Sequence, residues 1–549
     1  MSGRASGAPG RRVRGGRRGV AAAVSIALAG ALVACSGDDG ALNVDFDQQV
    51  ERTTPGSDAA AAAEIVIHTD RPLAPLDERL LGTNVPAWVG PDRLADDGFV
   101  RTTLASGATV LRMPGGSWSN HYDWLGCQLG DEELCFWPWA ARPSDFLGFL
   151  AETGLQGMWT VSMNGTAEEA AALVAFFNGE VDDDRPIGRD RRGRDWKTVG
   201  EWARLRAENG HPEPVPIRTW EVGNEIYGAV ADAGPECASF GWENVWTCDG
   251  TEYVEGTAEH DGFLRFREAM LAVDPDIEVG AVGIAEQGEW GDWGNEVMSA
   301  AGEAIDFYVV HHYAFDDSVA LDDVRRIPAE AWSGIAADVR DGLARNGVSD
   351  ATEIAVTEYN LVSFIENEDA RWMTTAVNAF YLADTIGQMA RNGVQIANQW
   401  NLVNGRADNG GDYGLVDNDS GAPYPAFFAI ALWSRFGDEL VEVDVAERSE
   451  VTELQIHGGR DAGGSPSALV INPSDEAITA SVAAEPATSA EVTADVMVSE
   501  SAEAGAVTFN GVAGSGTELA APAALAADED GRVTHEFPAF SITLLRWRA

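Results

Sequence analysis

The chain has 549 residues, with 88 acidic side chains against 37 basic, a formal net charge of −51 and 45% apolar content. That is a globular composition, and the length suits one large domain with a smaller companion. So acidic a chain is repelled by nucleic acid and anionic membrane surfaces, which excludes both as direct partners. Its self-repulsion points to a saline setting where salt screens it, or else to an acidic surface inherited from genome-wide composition.

In chain order, the first feature is a basic, arginine-rich head followed by an apolar run over residues 20–34. The run is short for a bilayer span and has the charge order of an export signal. It ends in "LVAC", which looks like a bacterial lipobox, so residues 1–34 read as a lipoprotein signal peptide and Cys35 as the lipidated residue. The alternative is a plain secretory signal. Residues 35–62, rich in Ser, Gly, Thr, Asp and Ala, read as a flexible tether. The expected location is extracellular, anchored to the bacterial cell membrane through lipid alone. Cys127, Cys135, Cys237 and Cys248 form two local pairs, so export predicts Cys127–Cys135 and Cys237–Cys248 disulfides, with other connectivities left open. Neither pair has C-x-x-C spacing or histidine neighbours, which argues against zinc.

From residue 63 to about 435, eight short apolar runs alternate with longer, often amphipathic stretches: "RLLGTNVPAW", "TVLRMPGG", "LQGMWTVSMN", "IRTWEVGNE", "IEVGAVGI", "IDFYVVHHY", "EIAVTEYN" and "VQIANQWN". In "EEAAALVAFFNG", Ala170, Leu173 and Phe177 share a helical face and Asn178-Gly179 supplies a stop. Strand–helix alternation predicts a parallel sheet, and eight units predict a closed (β/α)8 TIM barrel of the α/β class. Residues 436–549 change texture to short alternating strands, which predicts a C-terminal β-sandwich; the strand around Ile65–His68 is expected to join it.

Barrel active sites lie at the C-terminal strand ends. Those ends carry Arg112, Asn224-Glu225, His311-His312-Tyr313, Glu358-Tyr359-Asn360 and Gln399-Trp400. Two carboxylates on opposite sides of a barrel mouth suit glycoside hydrolysis, where one protonates the leaving oxygen and the other attacks the anomeric carbon. Trp220, Trp118 and Trp137 read as packing more than as sugar platforms, and the two histidines could equally be core residues. No metal site and no cofactor are implied.

"LRMPGGSWSNHYDW", "WEVGNEIYG", "IDFYVVHHY" and "VTEYN" occur in an order that resembles the clan of retaining (β/α)8 glycosidases, and within it the family 51 α-L-arabinofuranosidases. The resemblance covers roughly residues 64–549. It implies Glu225 as general acid/base and Glu358 as nucleophile. It further implies Asn224 on a sugar hydroxyl, Arg112, His311 and Tyr313 positioning nucleophile or substrate, and Gln399 reaching the sugar; Trp400, at the end of the eighth run, independently offers a flat face to a sugar ring. The implied partner is a plant-type polysaccharide or oligosaccharide. Three positions depart from the family pattern: Asn84 and Trp88 stand where a sugar-binding glutamate is expected, Ser117 replaces an asparagine, and Tyr359 replaces a tryptophan. These leave room for a β-xylosidase or endo-β-glycanase on the same barrel, or for a non-catalytic carbohydrate-binding lipoprotein. Oligomeric state is not expressed in the sequence.

Overall fold

The computed structural model describes residues 63–316, 320–446, 453–486 and 491–548. The expected signal peptide, Cys35 and the tether lie outside the described residues.

Strand β1 (Ala63–Pro75) comes first. Then β2 (Gly82–Asn84), β3 (Val110–Met113), β4 (Gln156–Val161), β5 (Thr219–Val222), β6 (Glu278–Val282), β7 (Phe307–Phe315), β8 (Glu353–Val362) and β9 (Ile396–Gln399) close into one barrel. Each strand pairs in parallel with the next, and β9 returns to β2. All eight match the apolar runs read from the sequence. Val110, Met158, Phe307, Val309, Ala355 and Ile396 plug the lower barrel as a closed apolar layer, and a polar layer sits above it.

The helices between strands differ in burial: Leu321–Arg345 buries one face, whereas Ala167–Asn178 and Ala376–Arg391 are buried nearly all round. Ala167–Asn178 starts where the Thr166 side chain accepts from the Glu169 N–H and stops at Gly179. Its Phe177 packs against Trp159 of β4 and Trp220 of β5, with ring centroids 5.0 and 6.2 Å apart. No helix among the described residues is long and apolar enough to cross a membrane.

After β9 come a short parallel pair, β10 (Val403–Asn404) and β11 (Val416–Asp417), and the fully buried helix Pro425–Trp433. The C-terminal strands follow: β12 (Glu439–Val445), β13 (Gln455–Arg460), β14 (Pro466–Asn472), β15 (Ile478–Glu485), β16 (Glu491–Ser499), β17 (Val507–Phe509), β18 (Val512–Ala513), β19 (Ala523–Leu525), β20 (Val533–Phe537) and β21 (Ser541–Arg548). They form one sheet in the order β18-β17-β16-β21-β14-β13-β12-β1-β15-β20, with β19 on β16. Strand β1 lies inside this order, antiparallel to β12 and parallel to β15. Val492, Ala494, Leu545 and Trp547 near one end share a core with Ile478, Val482, Val533 and Phe537 near the other, so the sheet doubles over into a sandwich. The sandwich docks on the barrel through a buried pair: His457 Nε2 of β13 lies 2.9 Å from Asp384 Oδ1 on helix Ala376–Arg391.

Candidate active site

Two local backbone irregularities aim the carboxylates. Strand β5 ends at Val222, and the chain then takes φ of +88° at Gly223 and +45° at Glu225. Gly223 reaches that region at little cost, whereas a left-handed glutamate costs about 1–2 kcal/mol. The turn delivers Glu225 to the barrel mouth. Its Oε2 accepts from Trp242 Nε1 at 2.6 Å, and its Oε1 accepts from Tyr227 OH at 3.2 Å and lies 2.9 Å from His311 Nδ1.

On the opposite wall, the β7–β8 ladder pairs Val310 with Val356 and then His311 with Glu358, so Thr357 is an extra residue. A bulge of this kind breaks strand alternation. Thr357 and Glu358 consequently both point into the barrel. Glu358 Oε1 accepts from Arg112 Nη1 at 3.0 Å and Oε2 from Tyr313 OH at 2.8 Å. His311 Nδ1 stands 3.7 Å from Glu358 Oε2, and carboxylate oxygens of Glu225 and Glu358 lie within 4.8 Å of each other.

Arg112 ties the floor together and is fully buried. Its Nε donates to Glu221 Oε2 at 2.7 Å, Nη1 also to Asn84 Oδ1 at 2.8 Å, and Nη2 to Asn224 Oδ1 at 2.8 Å. The guanidinium thereby serves two carboxylates and two amides with four of its five N–H donors.

Burial pushes both mouth carboxyls up. At Glu225 the hydrogen bonds and charge of His311, with Trp242 and Tyr227, outweigh burial and hold the carboxyl below its ordinary range. At Glu358 burial, with the neighbouring Glu225 charge, prevails over His311, Arg112 and Tyr313, and the carboxyl is raised. Burial would lower His311, but Glu358 and Glu225 raise it. This ordering opposes a simple picture of one protonated acid and one free nucleophile. The contacts explain it: His311 Nδ1 lies 2.9 Å from Glu225 Oε1 and 3.7 Å from Glu358 Oε2, so the three groups share their protons and titrate together. The same three offer ligand atoms all within 4.8 Å, a spacing that could hold a cation; the Arg112 guanidinium already supplies positive charge at Glu358.

The other expected residues divide. His312 faces away, its ring 5.1 Å from Trp332, and burial lowers its pKa to about 4. Gln399 spends its amide within the wall, accepting from Thr83 Oγ1 at 3.0 Å and donating to the Tyr413 carbonyl at 3.1 Å. Trp400 turns a ring edge toward Gly116, where an added Cβ would come within 2.3 Å of its outer ring carbon. Asn224 is engaged on both sides, since its Nδ2 donates to Glu243 Oε1 at 3.1 Å. Asn84 braces the floor, its Nδ2 donating to the carbonyls of Thr357, Asn398 and Gln399. Tyr359 is not at the sugar position: next to the inward Glu358, strand alternation turns it out of the barrel into the apolar layer. Trp220 is fully buried, and Trp118 and Trp137 stack on each other at 3.7 Å.

Several site residues escaped the sequence reading. Glu243 is buried among three donors, Ser117 Oγ at 2.6 Å, Asn120 Nδ2 at 2.8 Å and Asn224 Nδ2, yet burial and the Glu225 charge raise its pKa to about 8. Trp242 and Glu243 sit in the loop closed by Cys237–Cys248, one of two disulfides formed as expected; Cys127–Cys135 is the other. The available signal was "GWENVW", a carboxylate amid tryptophans inside a clamped loop.

No family model matches the chain. It is 25% identical over 295 residues to an intracellular exo-α-(1→5)-L-arabinofuranosidase of Bifidobacterium longum, covering 48% of this chain and 45% of that protein. It is 24% identical over 266 residues to α-L-arabinofuranosidase C of Emericella nidulans, covering 44% of each. The chain thus spans about half the length of the curated relatives it matches. Solved structures align far more widely. The α-L-arabinofuranosidase of Thermotoga maritima superposes with a TM-score of 0.64 at 18% identity, over 89% of this chain and all of that one. The GH51 α-L-arabinofuranosidase of Thermotoga petrophila RKU-1 gives 0.65 at 18% identity, over 88% and 99%. The fold is that of the family 51 α-L-arabinofuranosidases. A xyloglucanase of glycoside hydrolase family 44 from Paenibacillus polymyxa also aligns, with a TM-score of 0.57 at 13% identity, over 89% and 100%.

Proposed function

We propose that this protein is a retaining glycoside hydrolase that releases α-L-arabinofuranosyl units from plant-type polysaccharides or oligosaccharides. The observation that carries the reading is the pair Glu225 and Glu358, facing each other across the mouth with oxygens within 4.8 Å. Retaining enzymes hold their carboxyls about 5–5.5 Å apart, whereas inverting ones leave about 6.5–9.5 Å for a water. Glu358, held by Arg112 and Tyr313, attacks the anomeric carbon while Glu225 gives a proton to the glycosidic oxygen, so the aglycone leaves as a neutral alcohol. A water then displaces Glu358, its proton returning to Glu225, and configuration is kept after two inversions. The sugar assignment is supported by the likeness of sequence and fold to arabinofuranosidases.

A second reading, an endo-β-glycanase or β-xylosidase, is favoured by the mouth itself. Asn84 and Ser117 are spent on Arg112 and Glu243, and exposed aromatics stand in two segments, Phe136 and Trp139 just after the Cys127–Cys135 loop and Phe240 and Trp242 within the Cys237–Cys248 loop. Export and lipid anchoring at Cys35 remain a reading of "LVAC", supported by two disulfides that require an oxidising compartment.

A panel of aryl glycosides and polysaccharides with product analysis decides among these. Glu358→Ala should abolish turnover with the fold intact. Glu225→Ala should keep hydrolysing substrates with good leaving groups, which need little protonation. Wild-type rates in either variant would sink the assignment, and ligand binding without hydrolysis on every sugar would establish a carbohydrate-binding protein instead.

A further inference from the structure

Glu221, four residues before Glu225, is a fully buried carboxylate that the double displacement does not use. Its Oε2 is occupied by two donors, Arg112 Nε at 2.7 Å and Thr160 Oγ1 at 3.3 Å. Its Oε1 accepts from Thr357 Oγ1 at 3.1 Å. The same hydroxyl lies 3.0 Å from His311 Nε2. A salt-bridged carboxylate only accepts, and a threonine hydroxyl has one hydrogen to give. That hydrogen goes to Glu221, so Thr357 meets His311 as an acceptor and Nε2 must carry a proton. The other ring nitrogen, Nδ1, then faces Glu225 Oε1 at 2.9 Å with room for one proton between them.

We propose that Glu221 and Thr357 are positioning residues that lock the proton on His311 Nε2, and so make His311 Nδ1 and Glu225 a store for the single proton delivered to the leaving group. The inference rests on the glycosidase reading of Glu225. In the empty site the proton sits toward Nδ1. As the glycosidic oxygen takes up negative charge, Glu225 draws the stored proton from Nδ1 and passes it to that oxygen, leaving His311 neutral. In the second step the attacking water's proton returns by the same path. The lock exists because the bulge brings Thr357 into the barrel beside Glu358; on a regular strand only one of the two would point inward. The charged groups facing His311 are Glu225 from the turn after β5, Glu358 from β8 and Arg112 from β3.

Glu221→Gln tests the direction of the chain. The glutamine oxygen must face Arg112 and Thr160, both donors, so its NH2 turns to Thr357. The Thr357 hydroxyl then gives its hydrogen to His311 Nε2, and the neutral ring carries its proton on Nδ1. Neutron diffraction of the wild type should find His311 protonated at Nε2, and of the Gln variant in alkaline crystals at Nδ1 alone. A wild-type ring protonated only at Nδ1 overturns the proposal, whatever the substrate. In solution, Thr357→Val should move the basic limb of the kcat/KM profile down by about one pH unit, the size expected from one lost buried hydrogen bond. It should slow substrates with poor leaving groups more than dinitrophenyl glycosides, and Thr357→Ser should restore both. An unmoved basic limb, or an equal loss for good and poor leaving groups, overturns it. If wild type hydrolyses none of these substrates, the glycosidase reading has failed, and the diffraction result still decides the proton lock.

Discussion

At the scale of single residues, the mouth is a problem of too many carboxylates for one arginine. Glu221, Glu225, Glu243 and Glu358 are all buried or nearly so, and Arg112 reaches only Glu221 and Glu358. Glu225 leans on His311, and Glu243 has neutral donors only. Glu243 therefore keeps its proton to about pH 8, while the unfolded chain releases it near the ordinary carboxyl value. Between those two values the folded state binds one proton more than the unfolded state. The Glu243 contribution to stability thus declines as pH rises through that window and is constant above about 8. Glu243→Gln removes the titration but sets an amide NH2 against one of three donors, a loss of about 1–2 kcal/mol. Thermal unfolding should find that variant clearly destabilised at pH 5 and closer to wild type at pH 8. A penalty that grows with pH would contradict the shifted carboxyl.

At the scale of elements, the loop clamped by Cys237–Cys248 borders the mouth through Trp242 and Glu243. The acid protonates the oxygen shared with the aglycone, so the surface beyond Glu225 receives the leaving group. There Trp242 hydrogen-bonds the acid, and Trp290 packs against Tyr227, Phe240 and Trp242 at 5.4–5.6 Å. Phe240 is 71% exposed and contacts Glu225 by no hydrogen bond. Phe240→Ala should raise KM for oligosaccharides about fivefold, for roughly 1 kcal/mol of ring contact, and leave small aryl glycosides unchanged. Equal effects on both substrates would place the aglycone elsewhere. Strand ends, helices and both disulfides were legible because periodicity, stop signals and local cysteine spacing are near-neighbour properties. The bulge at Thr357 was not: a strand buried on both faces need not alternate, so Thr357-Glu358 carries no register signal, and only the pairing of His311 with Glu358 fixes the slip. Glu243 was hidden for the same reason, since its partners Ser117 and Asn120 lie more than a hundred residues away. Tyr359 was placed at the sugar by the family pattern alone; next to an inward Glu358, strand alternation turns it to the apolar layer.

At the scale of the whole molecule, the polar core and the acidic surface should answer salt differently. The formal charge of −51 comes from 88 acids facing 37 basic side chains. Many of those few arginines are committed locally, Arg79 to Asp77 and Glu353, Arg267 to Asp306, Arg460 to Glu439. The remaining carboxylates repel one another through solvent, which destabilises the compact state. Raising ionic strength from 0.1 to 1 M shortens the screening length from about 10 to about 3 Å, and most of that repulsion is lost. The pairs of Arg112 with Glu221 and Glu358 are fully or almost fully shielded from water and are screened much less. Tm should therefore climb by a few degrees between 0.1 and 1 M NaCl, at about 1–2 °C per kcal/mol for a chain of this length. Sucrose, which carries no charge, should not reproduce the steep part of the rise below 0.5 M. Over the same range kcat/KM on an uncharged sugar substrate should stay nearly flat, because neither the encounter nor the buried site depends on screening. A Tm that ignores NaCl would mean that the acidic surface is already neutralised by its own pairs, and a kcat/KM that follows the salt would mean that the mouth is open to bulk ions.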